Sequence, residues 1–422
     1  MIELLYHWSM DEKIHFESES SIPEVSREPT AKTYRIVLSG GGTGGHVFPL
    51  VPVVRELKSL LGEQTEFLYL GPSGGIGEKV MHDSGIATAV VTSGKWRRPF
   101  SLKNISDGFR VIGGYIQALI RLYRFMPDAV FSKGAYAAVP VVLAAKTYAI
   151  PVLTQDSDAT PGVANKIMGK FADRIAVAYP SASKYFEASR VAVTGNPVRE
   201  ELFHGSKDRA RERFDIQSDK PVLLVLGGSL GSVSVNRAIV GILPRLLERC
   251  SVVHQTGEGD AEETAKRVTE LGLGDLSGRY FATPFFDTGA LADALSLADL
   301  IVSRAGANAI ADIAAVGKSS ILIPLPSAAN DEQRMNAYEM ARVGASLVLE
   351  ELNLGENLLF GKIDRLLDDK VLREKTEKAA QTFFHPDAAH RIAEGIVALI
   401  REREARVTFF EKIVILFSRK NS

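Results

Sequence analysis

Short apolar, β-branched runs recur along this chain at intervals that leave room for one helix between each pair. YRIVL, TEFLYLG, AVVTS, DAVFSKG and IPVLT occupy the first half in this way. Strict strand–helix alternation builds a parallel sheet with helices on its faces. After the polar stretch FHGSKDRARERFDIQSDK the pattern begins again with PVLLVLGGS, SVVHQTG, GRYFATPF, ADLIVSR and SSILIPL. The repetition predicts two doubly wound, Rossmann-like α/β domains, 33–198 and 199–384, with their boundary near GNPVREEL. Ligands of such sheets collect at the carboxyl ends of the strands, so two of them facing each other make an interdomain cleft.

The segments outside this repeat are of three kinds. Residues 1–32 are acidic and lack the basic and apolar blocks of a signal peptide, and they are expected to form a disordered leader. HPDAAHRIAEGIVALIRERE predicts a long amphipathic helix over 385–405, starting near Asp387. The apolar tail 406–422 fits a strand, a docking helix or a weak membrane contact, with packing against the body favoured. The most apolar long run, GAYAAVPVVLAA, falls well short of the roughly 20 residues that span a bilayer. A net charge of -1 provides no global field for nucleic acid, and none is expected as a partner. A single cysteine, Cys250, excludes an internal disulfide framework, and the histidines show no metal-ligand spacing.

Three strand-to-helix turns carry the chemistry. The first, SGGGTGGHVFP, crowds five glycines around Thr43 ahead of His46, and marks Thr43, Gly44 and Gly45 as substrate contacts. A nicotinamide site would need a carboxylate after the second strand, and LYLGPSGG has none. The second turn, LGGSLGSVSVN, places Ser229, Leu230 and Gly231 before a helix, where a phosphate would sit. GGSLG also matches the G-x-S-x-G elbow of a serine hydrolase, with Ser229 as nucleophile, Asp299 or Asp312 as acid and His385 or His390 as base. The third turn, SRAGANAIAD, sets Arg304, Gly306 and Asn308 in a loop before a helix starting near Ala307. Asp312 on that helix is placed to take the two hydroxyls of a ribose.

GGTGGHVFP, SKGAYAAVPVVLAA, TPGVANKI, GNPVRE, LGGSLGSVSVN, HQTGEGD and SRAGANAIADIAAVGKSSILIPLPSAANDEQRMNA, in that order, resemble the MurG family of peptidoglycan glycosyltransferases from about Tyr34 to about Arg401. The resemblance implies a GT-B fold and a final helix that crosses back to the N-terminal domain. It implies inverting transfer of N-acetylglucosamine from its UDP derivative to the 4-hydroxyl of undecaprenyl-diphosphoryl-muramoyl-pentapeptide. By motif match Asp312 would hold the ribose, Ser229 with the backbone at Leu230 and Gly231 the diphosphate, Gln333 the N-acetylglucosamine, and Arg199 an anion. Gln333 also reads as one half of a helix-capping pair with Asn330. The chain departs from the family at Gln155-Asp156-Ser157-Asp158, where His-Glu-(Gln or Ser)-(Asn or Asp) is usual. It departs again at Asp312, usually Glu, and at Leu230, usually Gln.

Transfer needs a base for the acceptor hydroxyl. His46 is the first candidate, because a free imidazole titrates near 6.5, and Asp158 is the second. Two helix N-termini of about half a charge each, with Arg199, nearly balance the leaving diphosphate. No metal or other cofactor is therefore expected at the site, with magnesium at most an aid in solution. Lys95 to Phe100, KWRRPF, and the basic helical stretch after it predict docking on an anionic membrane, with the Trp96–Phe100 turn as the lipid contact and the helix packed inward. The expected location is the cytoplasmic face of the bacterial inner membrane. A UDP-sugar hydrolase or epimerase on the same scaffold is the nearest alternative.

Overall fold

The computed structural model describes residues 32–94, 103–228, 231–326 and 331–419, without side-chain detail at 103–106 and 409–419. The expected leader apart from Lys32, the Trp96–Phe100 turn, Ser229, Leu230 and Asn330 lie outside the described residues.

Chain order in the first lobe is β1 Arg35–Ser39, α1 Leu50–Leu61, β2 Glu66–Gly71, α2 Ile76–Asp83, β3 Ala87–Val90, α3 Lys103–Phe125, β4 Ala129–Ser132, α4 Val139–Thr147, β5 Val152–Asp156, α5 Val163–Phe171, β6 Arg174–Val177 and β7 Val191–Val193. The strands form one seven-stranded sheet, ordered β3-β2-β1-β4-β5-β6-β7, in which neighbouring strands run parallel. β1, β4 and β5 are almost wholly buried, and β1 and β4 are apolar at their centres, as strands covered on both faces must be.

The second lobe continues with α6 Lys207–Arg213, β8 Val222–Leu226, α7 Val233–Arg249, β9 Ser251–Gln255, α8 Ala261–Glu270, β10 Tyr280–Thr283, α9 Thr288–Leu297, β11 Leu300–Arg304, α10 Ala307–Ala315, β12 Ser320–Ile323, α11 Glu332–Arg342, β13 Leu347–Val348, α12 Glu356–Asp368 and α13 Lys370–Phe383. Its six-stranded parallel sheet is ordered β10-β9-β8-β11-β12-β13, the same winding as the first. In both sheets the order reverses beside the first strand, at β1/β4 and at β8/β11. Each reversal opens a crevice at the carboxyl ends, where the glycine turns lie.

The last helix, α14 Ala388–Arg419, belongs to the first lobe. Its Ile392, Ile396, Val397 and Ile400 share one buried cluster with Val53 and Leu57 of α1 and with Ile36 and Phe131 of the sheet. The tail from Arg406 onward, left open between strand and helix by its sequence, continues this helix to Arg419. The apolar GAYAAVPVVLAA run is a short 3-10 turn followed by α4, with Val141, Val142, Ala144 and Ala145 fully buried. No helix among the described residues is long and apolar enough to cross a membrane.

α3 departs from expectation. Its inner face packs Ala118 and Leu122 into the core. Phe109, Ile112, Ile116, Ile120 and Tyr123 are instead exposed by roughly half or more, and their spacing of three and four residues puts them on one outer face.

Candidate active site

The carboxyl ends of the two sheets face each other across a cleft of about 810 Å³. Gly44, Gly45, His46, Phe48, Ser157 and Asp158 line it from the first lobe. Arg199, Gly231, Arg304, Gly306, Asp312 and Gln333 line it from the second. Thr43, expected as a substrate contact, is exposed and does not line the cleft; its hydroxyl lies 3.0 Å from His46 Nδ1.

The glycines of the first turn divide by use. A side chain at Gly40 would begin 2.3 Å from the His46 carbonyl oxygen, and one at Gly44 would strike the Phe48 ring at 2.7 Å. Close packing of the turn on itself therefore accounts for these two. Gly45 has ordinary spacing and faces the second lobe, where Asn308 Nδ2 donates to its carbonyl at 3.3 Å. Asn308 is the second residue of α10 rather than part of a loop, and its Oδ1 accepts from Asn196 Nδ2 at 2.9 Å. This bridge between lobes was not legible in the sequence.

His46 is half-buried, and burial together with the charge of Lys133 lowers its pKa to about 4. The expectation of an ordinary imidazole is thereby corrected. The ring is neutral at physiological pH and ready to accept a proton, but it is a weaker base than an exposed histidine. Lys133, 1% exposed and immediately after β4, donates to Ser157 Oγ. Burial pulls its pKa down while Asp156 and Asp158 oppose that. Burial and the neighbouring Asp158 raise Asp156, whose Oδ2 accepts from Asn165 Nδ2 at 2.7 Å. Lys133 does not stand out in the sequence, though a lysine following an apolar strand is a usable signal, and Asp156 is marked there only as part of a departure from the family, not as a site residue. Asp158 is raised by burial as well, and is held from the other lobe by Asn336. Glu332, at the start of α11 and lining the same cleft, is pushed up to about 8 by burial and by Asp158 and Asp156. A protonated carboxyl thus faces the second base candidate.

On the donor side Arg199 is already engaged. Its guanidinium lies 4.5 Å from the Phe48 ring centre, 3.5 Å from Asp312 Oδ2 and 3.0 Å from Thr288 Oγ1. It is not a free counter-charge, and the charge balance expected from the sequence overstated it. Asp312 sits where α10 was expected to carry it, with its side chain 14% exposed. Burial raises its pKa to about 6 against the opposing pull of Arg199. Arg304 is likewise committed: it ion-pairs with Glu351, donates to Ser234 Oγ at 2.9 Å and reaches the Ile323 carbonyl at 3.2 Å. Its geometry is that of a brace between β11, β12 and α7. Gly306 caps α10 with open space beside it. Gln333 Oε1 accepts from Leu325 N–H at 3.1 Å, while the residue that caps α11 is Asp331, so the capping role expected of the glutamine is not what its side chain does. Ser232, two residues before Ser234, caps α7 by accepting from Val235 N–H at 3.4 Å.

Among the described residues, Asp299, Asp312 and His390, named as candidate acids and base of a hydrolase, are engaged elsewhere. Asp299 accepts from Val222 N–H at the amino end of β8, opposite the end that bears the glycine turn. Asp312 pairs with Arg199, and His390 Nδ1 lies 2.9 Å from Glu56 on α1. Among the described residues no three His, Cys, Asp or Glu side chains are grouped to hold a metal ion. Cys250 is buried in the core, and burial pushes its thiol up to about 12, which leaves it unreactive.

Two parallel-sheet lobes meeting at a cleft lined by the glycine turns of both define a GT-B glycosyltransferase fold. The chain belongs to glycosyltransferase family 28: the family's N-terminal domain matches residues 36–177 and its C-terminal domain residues 222–392. It is 38% identical over 370 residues to the UDP-N-acetylglucosamine--N-acetylmuramyl-(pentapeptide) pyrophosphoryl-undecaprenol N-acetylglucosamine transferase of Clostridium perfringens, covering 87% of this chain and 97% of that one. The crystal structure of Acinetobacter baumannii MurG superposes with a TM-score of 0.66 at 24% identity, over 87% of this chain and all of that one. The UDP-GlcNAc 2-epimerase of Neisseria meningitidis, bound to UDP-GlcNAc, shares the fold at a TM-score of 0.62 and 16% identity, over 87% of this chain and 100% of that one.

Proposed function

We propose that this protein is the inverting transferase of lipid-linked peptidoglycan synthesis, working as a peripheral enzyme on the cytoplasmic face of the bacterial inner membrane. It transfers N-acetylglucosamine from UDP-N-acetylglucosamine to the muramoyl residue of the undecaprenyl-diphosphate-linked muramoyl-pentapeptide, converting lipid I to lipid II. The observation that carries the site assignment is the convergence of Asp312 and Arg199 with the N-terminus of α7, opposite His46 and Asp158, in one cleft.

In this reading the donor lies against the second lobe. Asp312 accepts from the ribose hydroxyls, and the first-turn amides of α7 and α10 face the diphosphate and stabilise the charge that grows as UDP leaves. Neutral His46, its Nδ1 held by Thr43, takes the acceptor proton on Nε2. The 4-hydroxyl oxygen attacks the anomeric carbon as the bond to the β-phosphate oxygen breaks, which converts an α-linked donor to a β-linked product. The charge is met by helix N-termini and by an Arg199 shared with Asp312, and no bound cofactor is required.

The exposed apolar face of α3 supports membrane association. Phe109, Ile112, Ile116, Ile120 and Tyr123 stand beside Arg110, Arg121 and Arg124 on the same helix, a combination suited to anionic lipid. No nucleic acid is a partner in this reading.

An assay with labelled UDP-N-acetylglucosamine and a soluble analogue of the lipid acceptor tests the proposal. A β-linked disaccharide is expected, and release of UDP without one would overturn it.

A further inference from the structure

Behind the diphosphate turn, and outside the cleft, runs a buried polar chain. It begins in the HQTG segment at the end of β9. His254 is fully buried, with Nδ1 3.0 Å from the Tyr280 hydroxyl and Nε2 3.0 Å from Asn236 Oδ1. Asn236, 1% exposed on α7, places its amide nitrogen 2.8 Å from the Thr256 carbonyl oxygen and 2.7 Å from Asp260 Oδ2.

These contacts fix every proton. A backbone carbonyl and a carboxylate only accept, so the atom facing both must be the amide nitrogen of Asn236. Its oxygen then accepts, and the proton of His254 must sit on Nε2. Nδ1 is left to accept from the Tyr280 hydroxyl. Burial pushes the His254 imidazole down to about 4, which keeps this arrangement neutral at ordinary pH. The chain donates in one direction, from Tyr280 through His254 and Asn236 to Thr256 and Asp260.

The far end of the chain meets the glycine turn. A side chain at Gly231 would begin 2.3 Å from the Thr256 carbonyl oxygen, so Gly231, at a φ of +78°, is pressed against the group that Asn236 holds. The adjoining Gln255 donates from Nε2 to the Gly228 carbonyl at 2.9 Å, and that carbonyl also accepts from Gly231 N–H at 3.1 Å. Gly227 N–H donates to the Gln255 carbonyl at 3.3 Å. Residues 255 and 256 therefore grip Gly227, Gly228 and Gly231 immediately ahead of α7.

We infer that His254, Asn236 and Gln255 are positioning residues for the donor diphosphate: they set Gly228 and Gly231 so that the first amides of α7 face the cleft. The inference rests on the reading of that helix N-terminus as the diphosphate site. His254 and Asn236 do not line the cleft, so any effect of theirs on the donor passes through the turn, whereas Gln255 both holds the turn and lines the cleft.

The test compares the affinities of UDP and uridine, which differ only in the diphosphate, by calorimetry on the whole protein. His254→Leu removes the donor to Asn236, and Gln255→Leu removes the clamp on Gly228. His254→Gln keeps an N–H where Nε2 stood and serves as the rescue. In the two leucine variants UDP affinity is expected to fall about tenfold while uridine affinity stays within about twofold. Donor KM should rise with acceptor KM unmoved, and His254→Gln should recover most of the loss. Equal weakening of UDP and uridine would show a merely structural role and overturn the inference, as would no weakening. Gln255 lines the cleft, so if His254→Leu does not fold the decision falls to Asn236→Ala, which lies outside it, frees the Thr256 carbonyl and should show the same selective loss of UDP affinity. A wild-type protein with no preference for UDP over uridine would instead refute the diphosphate site itself.

Discussion

Asn336 of the second lobe closes on Asp158 of the first through two hydrogen bonds. Its amide nitrogen donates to Asp158 Oδ1 at 2.8 Å, and its oxygen accepts from Ala159 N–H at 2.7 Å. One carboxamide thus reads both a side chain and the backbone beside it across the cleft, and it is itself fully buried. Asn336→Ala would leave a half-buried carboxylate and a buried amide without these partners, a loss of about 1–3 kcal/mol. Transfer should fall by roughly ten- to a hundredfold in kcat/KM, and Asn336→Asp, which sets a second carboxylate against Asp158, should fare worse. Steady-state kinetics check this. Wild-type activity in both variants would mean that the clasp has no part in closure.

The low basicity of His46 gives a second expectation. Because burial and Lys133 pull its pKa to about 4, the neutral form needed for proton acceptance persists down to that pH. His46→Ala should lower kcat about a hundredfold with donor KM little changed, the usual scale for a lost general base. No acidic limb near 6.5 in the wild-type rate profile should belong to this residue. Finding such a limb in the wild type and its disappearance in His46→Ala would contradict the depressed value. For stability the sign is opposite to that of a salt-bridged histidine. Between about 4 and 6.5 the unfolded chain binds the extra proton, so this group makes the fold less stable as pH falls through that window.

Local features of the chain were legible, and relations between distant segments were not. β1, β4, β8 and β11 announce themselves because buried parallel strands are continuous apolar runs ending in glycine or a polar turn. β6, β7 and β13 escaped notice: they are two to four residues long, and β7 and β13 are only partly buried. The turns around Gly45, Gly231 and Gly306 could be read as ligand-facing because a glycine turn is a local device. The pairing of Asp158 with Asn336 spans 178 residues, and that of Asn196 with Asn308 spans 112. No periodicity records such pairs. The same distance effect altered chemistry: His46 loses basicity to burial and to Lys133, and Arg199 spends its charge on Asp312. The outer face of α3 was misjudged because its apolar residues follow helical spacing on both sides, and only packing distinguishes the face that is covered.

Asp312 makes donor binding sensitive to pH. Burial raises its pKa to about 6, so it is ionised at neutral pH and gains a proton as pH falls through that value. The protonated form loses both its attraction to Arg199 and an acceptor for the ribose. Affinity for UDP-N-acetylglucosamine, whose doubly esterified diphosphate does not titrate nearby, should therefore fall below pH 6. By the same shift the folded chain holds a proton between about 3.8 and 6 that the unfolded chain has released. The stability this group contributes is thus present at low pH and lost as pH rises through that window. Asp312→Asn should bind more weakly and with no pH dependence from this group. Calorimetry between pH 5 and 7.5 decides, and an unchanged wild-type affinity across the range would mean that the carboxylate does not meet the ribose.

The outer face of α3 should bear on lipid rather than on catalysis. Ile112 and Ile116 are each more than half exposed and lie one turn apart between Phe109 and Ile120. Removing them from water into the headgroup region is favourable by about 25 cal/mol per Å² of apolar surface, and nearby arginines add attraction to anionic lipid. Ile112→Glu with Ile116→Glu replaces that gain with two charges repelled by the same surface. Binding to vesicles rich in phosphatidylglycerol should drop at least tenfold in a sedimentation assay. Turnover of a water-soluble acceptor should be unaffected, because neither side chain lines the cleft. Undiminished vesicle binding by the double variant would place the membrane contact elsewhere on the molecule.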